Sequence, residues 1–143
     1  MEEKDLTKYM INGKTLYYNR GFDQSRYTVY IKNNLKRRLI YGKKYQEIGM
    51  FNINAYPGCC GIEVLNSVVV LQEMRNQGYG NLLLQLVLKI HYCSQLQATT
   101  NGHSPEMDHL LKKYGFQVMS TFTNFKTGNT ISLYYLNLDY YNG

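Results

Sequence analysis

The chain lacks any apolar run of the roughly 18–20 residues that a membrane-spanning helix needs. Its start, Met1-Glu2-Glu3-Lys4-Asp5, is charged and has no apolar stretch of the kind a secretory signal carries. A soluble, cytoplasmic protein with no membrane partner is therefore expected. Cysteine is scarce: Cys59, Cys60 and Cys93 are all there are. Two neighbours and an odd third make neither a disulfide framework nor the ligand spacing of a zinc site. Free thiols in a reducing compartment, and no metal, are the expectation. Repeats, linkers and low-complexity tracts are absent as well. Apolar residues make up 44% and charged residues 18%, which excludes a disordered chain. At 143 residues the sequence fits a single domain, 1–143, with one core.

Acidic residues are under-represented on one side only. Residues 1–60 hold eleven Lys/Arg against five Asp/Glu, whereas residues 61–143 hold five of each. The net charge of +6 therefore belongs to the first 60 residues, densest at Lys36-Arg37-Arg38 and Lys43-Lys44. Such a field suits an acidic partner, either a protein face or nucleic acid. The same charges also fit solvated strand edges that resist pairing with other chains.

The pattern of the chain predicts strands first. A short element is expected around Leu6–Ile11, then strands over Lys14–Arg20 and Arg26–Ile31, rich in aromatic and β-branched residues. Leu35–Tyr41, which carries the basic cluster, reads as strand or irregular. Tyr45–Tyr56 and Glu63–Leu71 read as further strands, separated by the Pro57-Gly58 turn. Tyr79, Leu82, Leu83, Leu86, Val87 and Ile90 fall on one helical face. Ser94–Thr100 is a short strand. Ser104-Pro105-Glu106 has the form of a helix start, and Gly115 ends that helix. Its apolar stripe is Met107, Leu110, Leu111 and Tyr114. Phe116, Val118, Ser120 and Phe122 alternate as a strand, and Ile131–Leu138 returns from the Asn124–Asn129 loop.

The most informative stretch is Ser67–Asn81. An apolar β-branched run passes through the polar turn Gln72–Gln77 into Gly78-Tyr79-Gly80 and the start of the long helix. A glycine-bearing turn between strand and helix presents backbone N–H groups with the helix dipole behind them, a good phosphate cradle. Arg75 can order that turn or add charge toward an anion. The dinucleotide fingerprint fails because residue 83 is Leu. The nucleotide P-loop fails because Asn81-Leu82 follow Gly80.

Val70-Leu71-Gln72-Glu73-Met74-Arg75-Asn76-Gln77-Gly78-Tyr79-Gly80 resembles the acetyl-CoA-binding motif of the GNAT superfamily of N-acetyltransferases. The following helix with Leu82-Leu83, the ending Lys112-Lys113-Tyr114-Gly115-Phe116 and the turn Thr127-Gly128-Asn129 are similar to that superfamily too. The resemblance spans roughly residues 45–138. It implies an α/β (α+β) fold with a mixed, mostly antiparallel central sheet, splayed at the acetyl-CoA site, and few flanking helices. Residues 1–60 would be basic N-terminal strands, and 61–143 the CoA-binding core with its closing hairpin. It further implies that the backbone amides of Gln77, Gly78, Tyr79, Gly80 and Asn81 bind the CoA pyrophosphate, with Arg75 and Asn76 of the same motif also at the cofactor. Val68, Val69 and Val70 would offer main-chain hydrogen bonds to the pantetheine arm, and one of those amides would polarise the thioester carbonyl.

The chain departs from the superfamily where it does proton chemistry. The positions of its CoA-contacting Asn and its acidic Tyr hold Ser104 and Leu111. Ser104 can replace one hydrogen bond to CoA, or Asn101 can reach in from the loop; Leu111 cannot donate a proton. Asp108 shares a helix face with these positions, and Glu63 lies near the place of a general base, so both are candidate catalytic groups. His103 is another. Lys14–Ile31 leaves room for very little helix to wall an acceptor site. An open acceptor face with basic charge implies a protein or another acidic macromolecule as acceptor. The alternatives are a catalytically weak relative that binds nucleic acid or a protein partner, and a small-amine acetyltransferase.

Overall fold

The computed structural model describes residues 5–22, 24–56, 58, 61–90, 93–100 and 105–138. Among these residues eight strands and three α-helices follow one another: β1 (Thr7–Ile11), β2 (Lys14–Arg20), β3 (Arg26–Lys32), α1 (Leu35–Tyr41), β4 (Tyr45–Ala55), β5 (Ile62–Val70), α2 (Tyr79–Ile90), β6 (Gln95–Thr100), α3 (Pro105–Lys113), β7 (Gln117–Thr123) and β8 (Thr130–Asn137). The strands have the order β1-β2-β3-β4-β5-β6-β8-β7. The β1–β2, β2–β3, β3–β4, β6–β8 and β7–β8 pairs are antiparallel, and β5–β6 is parallel. This is the mixed, mostly antiparallel sheet with few helices that the motif resemblance implies.

The chain divides into two compact units. The first holds residues 1–52 and 67–91, the second 53–66 and 92–143. In the first, β1 to β4 form an antiparallel meander. Leu16, Val29, Ile48 and Phe51 of these strands are fully buried. Tyr27 stacks on Phe51 at 4.9 Å between ring centroids, and Tyr17 meets Tyr45 edge-on at 5.2 Å. Helix α2 buries Leu82, Leu83, Leu84, Leu86 and Val87. Each such side chain contributes about 1.5–3 kcal/mol by leaving water. That is why this was the most legible helix of the sequence.

Residues 35–41 are helical, which corrects the strand or irregular reading. The reason lies in the caps. Asn34 Oδ1 accepts a hydrogen bond from the Arg37 amide at 2.8 Å. Gly42 closes the helix with φ +69°, its N–H on the Arg38 carbonyl at 2.8 Å. None of its seven residues is buried, so the apolar pattern carried no core signal. Beyond the helix, Asn33 donates its amide to the Lys43 carbonyl at 3.0 Å, and its own N–H reaches the Lys44 carbonyl at 2.8 Å. The excursion between β3 and β4 is thus closed at its base. Between β2 and β3, Gly21 N donates to Arg26 O at 2.7 Å.

In the second unit the parallel ladder joins Ile62–Leu65 of β5 to Gln95–Ala98 of β6. Leu65, Leu96, Ala98, Leu111, Phe116 and Tyr134 are buried there. Strand β7 is where expected, but its alternation does not mark a buried face: all seven residues are exposed, and the register shifts between Val118 and Ser120. It lies at the end of the strand order, with a partner on one side among the described residues. Among the described residues no helix is long and apolar enough to cross a membrane.

Candidate functional site

The turn after β5 is built from the bottom by three anchors. The Leu71 amide donates to the Ile48 carbonyl at 3.0 Å, tying the end of β5 to β4. A 3₁₀ turn, Gln72–Met74, follows and buries Met74. Arg75 Nε then reaches back to the Val70 carbonyl at 3.2 Å. Of the two roles the sequence left open for Arg75, this geometry shows it ordering the turn. Asn76 and Gly78 both take left-handed backbone, with φ +64° and +81°. Glycine and asparagine reach that region at least cost. A Cβ at Gly78 would meet only open space, so that glycine is required by its backbone angle, not by a neighbour.

The first helical hydrogen bond of α2 runs from the Leu82 amide to the Gly78 carbonyl at 3.3 Å. The amides of Tyr79 and Gly80 precede it, where a helix has no carbonyl of its own to offer. The first turn of α2 contains no acidic residue, so no carboxylate of that turn offsets the positive end of the helix dipole. Gln77 and Gly78 are exposed, and Tyr79, Gly80 and Asn81 half-buried. Gly49 of β4 supports the strand leading here: a Cβ at that position would stand 2.2 Å from the Val69 carbonyl oxygen. Val68 and Val70 are half-buried and Val69 is 38% exposed.

Glu63 and Asp108 belong to the second unit. Glu63 lies opposite Leu96 in the parallel ladder. Burial, with the negative charge of Glu63, raises the Cys93 thiol to about 11, which marks it as an inert core cysteine. Asp108 Oδ1 accepts two hydrogen bonds, from Thr100 Oγ1 at 2.6 Å and from Tyr134 Oη at 2.7 Å. It ties α3 to β6 and β8. Burial, then the Asp108 carboxylate, push the Tyr134 hydroxyl up to about 12. The sequence reading missed Thr100 and Tyr134, for nothing in their spacing from Asp108 signals the contact. Leu111, at the superfamily's tyrosine position, is a core residue, 1% exposed. Tyr114 is half-buried, and the Lys113 ammonium lies 5.7 Å from its ring centre. Ser104, His103 and Asn101 lie outside the described residues, as do Cys59 and Cys60. Among the described residues no cluster of His, Cys, Asp and Glu could hold a metal ion.

No protein-family model matches the chain, and no curated protein matches it. Solved structures do. A GNAT family acetyltransferase from Elizabethkingia anophelis, with acetyl-CoA bound, is 22% identical with a TM-score of 0.58, over 82% of this chain and 79% of that one. The NatC complex bound to Gag peptide and CoA includes a chain 13% identical, TM-score 0.63, over 81% and 72%. Mutant forms of the spermidine/spermine N-acetyltransferase SpeG from Vibrio cholerae are 13% identical, TM-score 0.59, over 81% and 69%. The chain therefore has the fold of the GNAT acetyltransferases.

Proposed function

We propose that the chain is an acetyl-CoA-dependent N-acetyltransferase. The observation that carries this reading is the turn Arg75–Gly80: left-handed Asn76 and Gly78, an arginine locked on Val70, and the solvent-facing start of α2, all directly after a β-strand of a GNAT fold. The backbone amides of Gln77–Asn81 would bind the pyrophosphate, and main-chain groups of Val68–Val70 the pantetheine arm. Bound acetyl-CoA supplies the acyl group as a thioester. The chain holds it still beside an incoming amine, so that proximity does much of the work. Glu63 is the candidate base. Asp108 remains a candidate for proton transfer, although its two hydrogen bonds also support a bracing role.

For the acceptor we favour a protein or another acidic macromolecule, on the basic charge of residues 1–60. The short β2–β3 turn supports an acceptor face without a helical wall. Peptide and spermidine or spermine appear in the names of the proteins of like fold, so a small amine is the competing acceptor. One observation favours a reading without turnover: Leu111 fills the core where the superfamily's tyrosine would donate a proton. A member that binds CoA and a protein or nucleic-acid partner would look the same.

Calorimetry with acetyl-CoA tests the proposal, with Gly80→Glu as the variant expected to abolish binding by placing a carboxylate among the amides. No heat at millimolar acetyl-CoA sinks the transferase reading. Binding without thiol release across a panel of peptides, proteins and polyamines favours the reading without turnover. Charge reversal at Lys36, Arg37 and Arg38 that leaves acceptor kinetics unchanged counts against an acidic acceptor.

A further inference from the structure

A cavity of about 360 Å³ lies wholly within the first unit, between α1 and the turn that follows β5. Arg37 and Tyr41 line it from α1, Lys43 and Gln46 from the chain after that helix, and Glu73 and Gln77 from the turn. Arg37 and Tyr41 are one helical turn apart and so share a face. Two asparagines hold the backbone on which the cations stand. Asn34 caps the Arg37 amide at 2.8 Å, and Asn33, 4% exposed and itself on the cavity wall, grips the Lys43 carbonyl at 3.0 Å. Two guanidinium and ammonium stems fixed at their bases, one aromatic ring and several amide and carboxylate acceptors suit a nucleoside phosphate better than a peptide or a bare amine. Gln77 lines this cavity and also stands at the start of the amide cradle before α2, so the two lie side by side.

We propose that this cavity takes the 3′-phosphoadenosine end of an acyl-CoA, with Arg37 and Lys43 on the 3′-phosphate. The inference rests on the acyl-CoA reading above and adds a subsite to it. Tyr41 offers the base a ring to lie against, and Glu73 and Gln46 offer acceptors to its exocyclic amine. The basic cluster then has a task in cofactor recognition, and α1, which buries no residue of its own, has a reason to be capped at both ends.

The test is calorimetry with CoA and with 3′-dephospho-CoA, which differ only in the phosphate at issue. The wild-type chain should bind CoA about tenfold more tightly, a difference in line with two partly exposed charge pairs and one that shrinks as salt rises. Arg37→Glu with Lys43→Glu should erase that preference, CoA affinity falling further than dephospho-CoA affinity. Retained dephospho-CoA binding shows that the double variant is folded. Should it not fold, Arg37→Gln with Lys43→Gln should lose most of the preference. Equal affinities of the wild-type chain for the two ligands overturn the subsite and leave the acyl-CoA reading standing. A variant that keeps the preference but raises the acceptor KM also overturns it, and gives the cavity to the acceptor. Binding of neither ligand by the wild-type chain overturns the acyl-CoA reading, and the subsite with it.

Discussion

Tyr134 of β8 donates its hydroxyl hydrogen to Asp108 Oδ1 of α3 at 2.7 Å, and only 2% of its surface meets solvent. The folded chain therefore holds that proton more tightly than an unfolded chain does, with the hydroxyl raised from 10.0 to about 12. Cys93 is raised in the same way, from 9.0 to about 11. A raised value in the folded state means stability that is complete below the unfolded value and lost as pH climbs through the folded one. The second unit should thus lose stability between about pH 9 and pH 12. Urea unfolding at a series of pH values should show the loss. Tyr134→Phe should remove its upper part and Cys93→Ala its lower part. An unchanged profile in both variants would show that neither proton is held by the fold.

Asp108 distinguishes brace from acid–base group. Asp108→Ala strands two buried donors, and should cost about 1–3 kcal/mol of unfolding free energy. Asp108→Asn keeps an acceptor oxygen for Thr100 or Tyr134 and should cost less. If the residue only braces α3, acetyl transfer by the Asn variant should track its stability. If it moves a proton, turnover should fall while the urea midpoint holds.

The cap at Asn34 makes a local prediction. Asn34→Ala removes the acceptor of the Arg37 amide, an effect of about 1 kcal/mol on the helix. Because α1 buries nothing, the loss should stay in α1. Hydrogen exchange should accelerate over residues 35–41 with the global urea midpoint unmoved. A fall in that midpoint would mean that α1 carries core stability.

Legibility followed the source of each element's stability. Helix α2 is organised by burial, which its sequence periodicity reports directly, while β2 and β3 were read from their aromatic and β-branched residues. Helix α1 is organised by Asn34 and Gly42, and its Leu35, Leu39 and Ile40 are exposed, so no buried face marked it in the sequence. The turn before α2 was readable through Gly78 and Gly80; Gly78 takes the left-handed backbone its residue type allows, whereas that of Asn76 was not signalled in advance. The Thr100–Asp108–Tyr134 cluster was not, since it joins three elements whose register no local pattern encodes. Two roles were visible for Arg75; its contact with the Val70 carbonyl accounts for the ordering of the turn.

Gly49 offers the sharpest mechanical test of the site. A methyl group there would stand 2.2 Å from the Val69 carbonyl oxygen and 2.9 Å from Leu83 Cδ1. The leucine end can turn away, but a backbone oxygen in a strand cannot. Gly49→Ala should therefore push β4 away from Val69, at a cost of roughly 1–3 kcal/mol for an overpacked interior. Displacement of Val69 also shifts the strand proposed to hold pantetheine, so the acetyl-CoA dissociation constant should rise even where the variant remains folded. Val69→Ala is the counterpart. It trims a side chain 38% exposed and leaves the carbonyl in place, so stability should change by no more than about 0.5 kcal/mol. Urea midpoints and calorimetry on the two variants separate a demand for backbone room at residue 49 from a demand for the valine side chain. Equal, small effects from both would show that β4 and β5 tolerate more separation than the 2.2 Å approach implies.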